Sequence, residues 1–179
     1  MENCLLIGNG LNRSLENGIA WDKLLKEIAD NNEVSYNGNI SMPLEFESIV
    51  NEMQKKRNTQ TDKLYADVKS EIAEKLSCTK LPDDAIHKEL LRLNPDLIMT
   101  TNYDYLLEYV WNSSYEHKEY ETKKYLFEPT SSQEEKPFYH IHGFAASIPS
   151  ICLGYEHYMG IVEHLRSELN KKKTIERML

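Results

Sequence analysis

The chain of 179 residues contains only three cysteines, Cys4, Cys78 and Cys152, and no two of them form a C-x-x-C pair. A disulfide framework or a zinc knuckle needs more cysteines at short, regular spacings. Both kinds of protein are therefore excluded. Cys4 and Cys152 lie in apolar, strand-like runs, so we predict that the cysteines are reduced thiols of the hydrophobic core.

Long apolar runs are also missing. No stretch approaches the length of a membrane span, and the first residues, "MENCLLIGNG", are too short for a signal peptide and lack its basic flank. The sequence therefore predicts a cytoplasmic protein without a membrane partner. A chain of this length fits one domain that can bury a substantial core.

Positive charge is scarce as well, since 21 Lys and Arg stand against 29 Asp and Glu and give a net charge of −8. Nucleic-acid binding needs clustered basic side chains to contact phosphates. The two short basic runs, "QKKR" at 54–57 and "KKK" at 171–173, are typical of solvated helix faces. We therefore predict no nucleic-acid partner.

What the chain does contain is an alternation of short apolar runs with longer helical periodicities. The runs that predict strands lie at 3–7, 96–101, 136–143 and 149–154. The apolar spacing of about 3.6 residues predicts helices at 21–28, 46–53, 64–76, 82–93, 104–112 and 155–179. This order predicts an α/β fold with a mostly parallel sheet and a helical insertion, about 21–93, between the first two strands.

Three polar motifs follow predicted strands, where ligands of parallel sheets bind. The first is "LLIGNGLN", 5–12, in which Gly8 and Gly10 let the backbone turn and approach a ligand such as a phosphate. A dinucleotide-binding turn of the usual dehydrogenase has G-x-G-x-x-G, and here Arg13 occupies the third glycine position. A nicotinamide dehydrogenase of that design is therefore excluded, and the motif by itself is equally compatible with an ordinary turn.

The second motif is "TTNYD", 100–104, at the junction of a strand and a helix. Asn102 offers a donor and an acceptor, and the ionised Asp104 offers acceptors, so either side chain suits sugar hydroxyls or a water molecule. A helix cap by Asn102 or Asp104 is the simpler alternative. One cap explains one polar residue, however, and leaves the others without a role.

The third motif is "YHIHGF", 139–144. His140 and His142 alternate along the predicted strand, so they are expected to share a face, and Gly143 frees the turn that follows. A histidine at a strand end is a candidate general base because its reference pKa is about 6.5. Two hydrogen-bonded structural histidines are the alternative, and no third ligand at a recognisable spacing supports a metal site.

The order of the three motifs resembles the sirtuin superfamily. In that family a G-A-G-x-S-like turn binds the NAD phosphates, a T-Q-N-x-D segment contacts the nicotinamide ribose, and a His-Gly pair supplies the catalytic histidine. A closer resemblance is to bacterial sirtuin-like NAD-cleaving domains of antiphage defence. It is carried by "GNGLNRSLENGIAWDKLL", "TTNYDYLLE" and "SICLGYEHYM", and it covers about 4–160. It implies a Rossmann-like fold and a single NAD-binding domain over 1–179.

Some family features are absent. Asn9 and Asn12 replace the usual alanine and serine of the glycine turn, and the zinc ribbon of deacylating sirtuins has no counterpart, so no metal is expected. The G-x-S-x-D-like segment that closes the adenosine site is also missing. The predicted last helix has no Gly or Pro stop signal before Leu179. We therefore expect a C-terminally truncated domain, and a homo-oligomer or a further C-terminal domain stays open.

The resemblance implies that NAD is the substrate and that the bond between nicotinamide and ribose is cleaved. Asn102 is then expected to orient the ribose and the attacking water, His142 to act as general base, and Asp104 to hold the nicotinamide amide or a ribose hydroxyl. His140 is expected to be structural. The residues expected to bind NAD are Gly8, Asn9, Gly10, Leu11, Asn12, Thr101, Asn102 and Asp104.

Two other readings compete with an NAD glycohydrolase. A deacylase would use the same residues to transfer ADP-ribose to the oxygen of an acyl-lysine, but the chain lacks the zinc module and an evident peptide-binding segment. A non-catalytic module would bind NAD or a related nucleotide, or mediate assembly.

Overall fold

The structure, a computed structural model, describes residues 3–15, 20–77, 86–113, 124–130 and 137–171. The strands in these ranges are β1 (Cys4–Ile7), β2 (Leu97–Thr100) and β3 (Phe138–His140). The α-helices there are α1 (Trp21–Asn31), α2 (Met42–Arg57), α3 (Thr61–Ser77), α4 (Ile86–Arg92), α5 (Leu106–Trp111) and α6 (Tyr155–Asn170). Two short 3₁₀ helices cover Asn12–Ser14 and Ile148–Ser150.

The strands form a parallel sheet in the order β1-β2-β3. Because parallel neighbours need a crossover, α1 to α4 connect β1 to β2, and α5 begins the connection from β2 to β3. This arrangement confirms the predicted Rossmann-like α/β fold, its parallel sheet and the helical insertion after the first strand.

The insertion carries the larger hydrophobic core, as its periodicity predicts. Each of its first three helices turns a stripe of apolar residues inward, and these stripes pack on one another. The predicted inward residues that are buried here are Leu24, Leu25, Ile28, Phe46, Ile49, Val50, Met53, Leu64, Val68 and Ile72. Among the described residues, no helix is both long enough and apolar enough to cross a bilayer.

Helix α2 shows how local sequence sets helix ends. Pro43 lies in its first turn, where a missing N–H costs nothing, and Asn58 ends it with a left-handed φ of 49°. The last turn carries Lys55, Lys56 and Arg57, which are exposed and complement the negative end of the helix dipole. The first basic run is thus a solvated helix face, as predicted. Most of the second run, 172–173, lies outside the described residues.

The prediction that β1 is a buried strand with a core cysteine is wrong. Cys4 is exposed, and the side chain of Leu6 on the same strand is 66% exposed. The reason is that β1 lies at an edge of the described sheet, with β2 as its partner there, so only part of the strand is covered. Cys152 is buried, as predicted, and Cys78 lies outside the described residues.

The predicted fourth strand at 149–154 is also wrong. The chain forms the 3₁₀ helix Ile148–Ser150 there and then continues without regular structure to α6. The carbonyl oxygen of Ser150 packs against Gly143, where an added Cβ would lie 2.0 Å from it, and Gly143 has a φ of 81°. The segment is therefore folded back on the turn after β3, so it cannot extend beside the sheet.

The polar segment 114–123, the loop 131–136 and the first residues of the predicted fourth helix, 82–85, lie outside the described residues.

Candidate functional site

The register of the sheet brings the three polar motifs together. Ile7 lies beside Thr100, and Thr100 lies beside His140, so the three strands end in one row. The glycine turn, "TNYD" and the turn after His140 all begin at the next residue. The prediction that the motifs share the carboxyl end of a parallel sheet is therefore confirmed.

A cavity of about 300 Å³ opens at this end of the sheet. Each of the three motifs contributes to its wall, through Asn9, Thr101 and Tyr103, and His142. The rest of the wall is mostly apolar and comes from α1, α2 and the segment before and within α6: Trp21, Leu25, Met42, Pro43, Cys152, Leu153, Gly154 and Tyr158. A concave, largely apolar site with a few convergent polar groups is typical of small-molecule binding.

The glycine turn leaves room beside this cavity. The N–H of Leu11 donates to the carbonyl of Gly8 at 3.3 Å, which closes the turn. A Cβ added at Gly10 would meet no heavy atom within 4 Å, whereas one at Gly8 would lie 3.8 Å from the Thr101 hydroxyl. Neither glycine has a positive φ. Their contribution is therefore open space for a ligand and close approach to Thr101, and the backbone conformation itself does not demand glycine.

Asn12 follows the turn and is only 6% exposed. Its Nδ2 donates to Asp104 Oδ2 in a very short hydrogen bond, and its Oδ1 lies 3.1 Å from His87 Nε2. The side chain therefore ties the glycine turn to both the "TTNYD" motif and α4. Its predicted contact with phosphate stays a prediction, because both ends of its amide are engaged inside the fold.

Asp104 is buried and accepts two hydrogen bonds, one from Asn12 and one from the N–H of Leu106 at 3.0 Å. The second bond satisfies the N–H of the first residue of α5 from a position one residue before the N-cap, Tyr105, so Asp104 does not occupy the cap position that the simpler sequence interpretation proposed. Burial raises the pKa of the Asp104 carboxyl above its ordinary value, although the hydrogen bond from Leu106 opposes this shift. A carboxylate has about four lone-pair sites, so Asp104 can still accept from a ligand.

Asn102 is the clearest candidate for ligand contact. Asn102 is 3% exposed, yet neither the nitrogen nor the oxygen of its amide has a hydrogen-bond partner among the described residues. It lines a second, water-sized cavity of about 10 Å³, whose wall includes Asn9, Asn12 and Asp104. Buried polar atoms are nearly always paired in folded proteins, so an unpaired buried amide needs an explanation such as an absent ligand.

The two histidines occupy different environments, contrary to the expectation of a shared strand face. His140 ends β3 and is fully buried, whereas His142 lies beyond the strand in the turn before Gly143. The ring of His142 lies on the cavity wall and packs edge-on against Tyr158, with centroids 5.0 Å apart. Burial lowers the pKa of His142, which keeps its ring neutral and able to accept a proton at neutral pH.

His140 is held on both sides. Its Nδ1 lies 2.6 Å from the main-chain oxygen of Asn102, and its Nε2 lies 2.7 Å from Glu108 Oε1. Burial by itself lowers the pKa of His140, but the charge and hydrogen bond of Glu108 and the bond to Asn102 together raise it above the ordinary value. The expectation from the sequence that His140 is structural stays a prediction.

Sequence reasoning missed several residues of the site. Glu108 was hidden because it sits in the helical run "YLLEYVW", where a charge is expected on the solvated side, although it is 1% exposed. His87 looked like an ordinary helix residue, and only its contact with Asn12 reveals its place. Trp21 and Tyr158 form cavity wall from distant helices. The described residues contain no group of three or more His, Cys, Asp or Glu side chains placed to hold a metal ion.

A Rossmann-like parallel sheet with a cavity at its carboxyl end is the class of α/β domain that binds ligands at this edge of the sheet. Residues 96–179 match the family model of the SIR2-like domain. The match begins just before β2 and includes "TTNYD" and "HIHG" but not the glycine turn. It supports the resemblance to the sirtuin-like superfamily, and because SIR2-like domains bind NAD it supports an NAD-related function. No curated protein matches the chain.

Proposed function

We propose that the chain is a single sirtuin-like NAD-binding domain of the glycohydrolase type, which cleaves NAD and releases nicotinamide. We further propose that it acts in bacterial antiphage defence, in the cytoplasm. The defence role is supported by the resemblance of "TTNYDYLLE" and of the residues around the glycine turn to such domains. The reaction is supported by the match of 96–179 to the SIR2-like domain and by the geometry at the strand ends.

One observation carries the proposal: the three motifs converge on one cavity and supply it with different chemical groups. Thr101 and Asn9 contribute polar wall, and His142 contributes a neutral imidazole. The unpaired amide of Asn102 lies directly after Thr101, in the adjoining water-sized cavity. A proton acceptor beside polar groups that can orient hydroxyls can assist hydrolysis of a glycosidic bond, because it takes the proton of the attacking water.

The residues present fit NAD. The space at Gly10 leaves room for a phosphate, and the cavity of about 300 Å³ is at the small end of the usual range for ligand sites. Its aromatic and aliphatic walls suit a planar ring. When bound, NAD supplies the bond between nicotinamide and ribose that breaks.

Each proposed role is assigned to a side chain whose protonation state or hydrogen-bonding capacity suits it. Asn102 orients the ribose and the attacking water with an amide whose two N–H donors and carbonyl oxygen have no partner among the described residues. His142 accepts the proton of that water or of a ribose hydroxyl, which is worth about 10²- to 10⁴-fold in rate. Asp104 holds a hydroxyl or the nicotinamide amide with its remaining lone pairs. The turn Gly8–Asn12 and Thr101 hold the rest of the nucleotide.

The test is nicotinamide release from NAD by the purified chain and by Asn102→Ala and His142→Ala. We expect each variant to lose at least about 100-fold in rate. His164→Ala, which changes a half-buried histidine on α6, and Asn39→Ala, which changes an exposed asparagine, are matched controls and should retain the wild-type rate. Release that survives both site variants would contradict the assignment of the site.

The same assay separates the alternatives. Deprotection of an acyl-lysine peptide without free hydrolysis of NAD would identify a deacylase, and binding of NAD without turnover would identify a non-catalytic module. The defence role predicts that NAD falls after phage infection in cells with the wild-type protein and stays constant in cells with Asn102→Ala. An equal decline of NAD in both strains would contradict that role.

A further inference from the structure

The buried side chains of His140 and Glu108 form a unit that the proposed reaction does not use. His140 ends β3 and Glu108 lies in α5, and their side chains are 0% and 1% exposed. Both nitrogens of the His140 ring face acceptors: the main-chain oxygen of Asn102 at 2.6 Å and Glu108 Oε1 at 2.7 Å. A carbonyl and an ionised carboxylate can only accept, so with Glu108 ionised each ring nitrogen carries a proton. This arrangement favours an imidazolium at His140, paired with the Glu108 carboxylate.

The surroundings of His140 favour this charged state. The titratable groups that face it are Glu108 and Asp104, both acidic, and the rings of Tyr105 and Phe144 pack at 5.9 and 5.5 Å. The hydroxyl of Thr130 donates to Glu108 Oε1 at 2.6 Å and so holds the carboxylate in place. With water excluded, the pair is fixed by strong charge-assisted hydrogen bonds.

The pair acts on the backbone of Asn102. His140 holds the carbonyl of Asn102, and the Thr100 hydroxyl accepts from the Asn102 N–H at 3.0 Å. The main chain of this residue is thus held on both sides, while its buried amide is left without a partner in the described structure. A residue fixed through its backbone and unpaired at its side chain is preorganised for a ligand.

We propose that Glu108 and His140 are positioning residues, which form a buried ion pair that holds Asn102 in place for the substrate. The identity of the substrate rests on the proposed function, but the ion pair and its hold on Asn102 do not. Neither residue needs to touch the substrate. The proposal therefore makes one prediction for the protein without ligand and another for turnover.

The first measurement uses the full chain without NAD. Nitrogen-detected NMR of the histidine rings should show that His140 keeps both ring protons to a higher pH than an ordinary histidine, whose reference pKa is about 6.5. Glu108→Gln replaces the carboxylate by an isosteric neutral amide that can donate to Nε2, so His140 should lose its second proton at a lower pH than in the wild type. The side-chain NH₂ signals of Asn102 should shift or broaden in this variant. The control Glu163→Gln, an exposed residue on α6, should change neither signal.

The second measurement is turnover of NAD. Glu108→Gln should lower kcat by about 10- to 100-fold, because small misplacements of an orienting group have effects of this size, and should change KM little. The fall of kcat at alkaline pH should coincide with deprotonation of His140 by NMR and should move to lower pH in the variant. Thr130→Val removes one hydrogen bond to Glu108. It should lower the pH at which kcat falls and the pH at which His140 is deprotonated by a smaller amount, and it is the variant to use if Glu108→Gln does not fold.

Failure of the positioning role and failure of the proposed function give different results in these measurements. Loss of the second His140 proton in the wild-type protein at or below the pH of an ordinary histidine, or Asn102 signals that do not respond to loss of the charge, would overturn the positioning role even if NAD is cleaved. A wild-type protein that releases no nicotinamide would contradict the proposed function, while a doubly protonated His140 and responsive Asn102 signals would still support the ion pair and its hold on Asn102.

Discussion

The helical insertion and the ends of the strands differ in the hydrogen bonding of their buried polar atoms. In α2, the buried Glu45 accepts from the N–H groups of Asn37 and Gly38 at 2.8 and 3.1 Å, and its neighbours in the core are apolar. At the strand ends, Asn102 and Glu108 keep buried side-chain atoms without partners. Within the described residues, no such unpaired atom lies in α1, α2 or α3.

This difference separates a stabilising and a destabilising contribution to the free energy of folding. Burial of apolar surface is the main favourable term in folding, and the insertion supplies most of it here. An unpaired buried polar group opposes folding by about 1–3 kcal/mol. The strand ends therefore hold groups that lower stability, and such groups are retained where a ligand can pair with them. The comparison predicts that substitutions in the two regions affect different measurements.

The largest effect is expected in the insertion. Ile49→Ala removes a side chain of α2 that is 0% exposed and does not line the cavity, so it should lower the free energy of unfolding by about 2–5 kcal/mol. Denaturant unfolding followed by circular dichroism measures this loss. The matched control is Leu44→Ala on the same helix, which is 47% exposed and should stay within about 0.5 kcal/mol of wild type.

Below its unfolding transition, the Ile49→Ala protein should bind and cleave NAD like the wild type. A loss of turnover in fully folded Ile49→Ala would break the separation between the two regions, because it would make the insertion part of the site.

The insertion was also the part that the sequence predicted best. Its apolar residues repeat with the period of a helix, and that repeat is a local signal that the structure preserves from Leu24 to Ile72. The parallel sheet followed from the alternation of strands with helices. The errors came where long-range contacts decide: Leu6 is exposed because β1 is at an edge, and 149–154 is folded back because Ser150 packs on Gly143.

The convergence of the three motifs was predictable from the sequence, whereas the contacts between their side chains were not. The three motifs could be placed at one edge of the sheet because strands in a parallel sheet end together. The pairing of Asn12 with His87, and of His140 with Glu108, joins residues 75 and 32 positions apart. No periodicity or spacing encodes such pairs, since they depend on which helix face packs over which strand.

The next largest expected effect is a loss of stability at acidic pH, which comes from two buried histidines. His87 and His157 are buried outside the apolar stripes, and burial lowers the pKa of each to about 4. His157 accepts from the Lys69 ammonium at Nδ1, 3.0 Å away, and the Nδ1 of His87 has no partner in the described structure. Protonation of His157 therefore places a second positive charge beside Lys69. Protonation of His87 places an unpaired charge in the interior.

The direction in which stability changes with pH follows from the lowered pKa of the two histidines. The unfolded chain takes up these protons near pH 6.5 and the folded chain only near pH 4, so the stability from the two neutral rings is full above pH 6.5 and is lost as the pH falls through that window. We expect a loss of about 2 kcal/mol for each histidine by pH 5. Asp104, with a raised pKa, opposes the trend at its acid end.

Unfolding by urea at pH 7, 6 and 5 measures the slope. His157→Gln should remove about one of the two protons taken up on unfolding, and His87→Gln with His157→Gln should remove both. An unchanged slope in the double variant would show that these rings do not titrate in the interior.

The smallest expected change in stability is the most informative, because it compares two asparagines of the same site. Asn12→Ala leaves Asp104 Oδ2 and His87 Nε2 buried without partners, so it should cost about 1–3 kcal/mol. Asn102→Ala removes two atoms that have no partner among the described residues and keeps the main-chain bonds to His140 and Thr100. Relief of the desolvation cost of these atoms is offset by the packing lost with the side chain, so the free energy of unfolding should change by less than about 0.5 kcal/mol in either direction. Both variants should lose nicotinamide release, Asn12→Ala through the displaced turn and Asn102→Ala through the missing amide. If Asn102→Ala costs as much stability as Asn12→Ala, the Asn102 amide is paired in the folded protein, and it then no longer distinguishes a ligand site from a structural one.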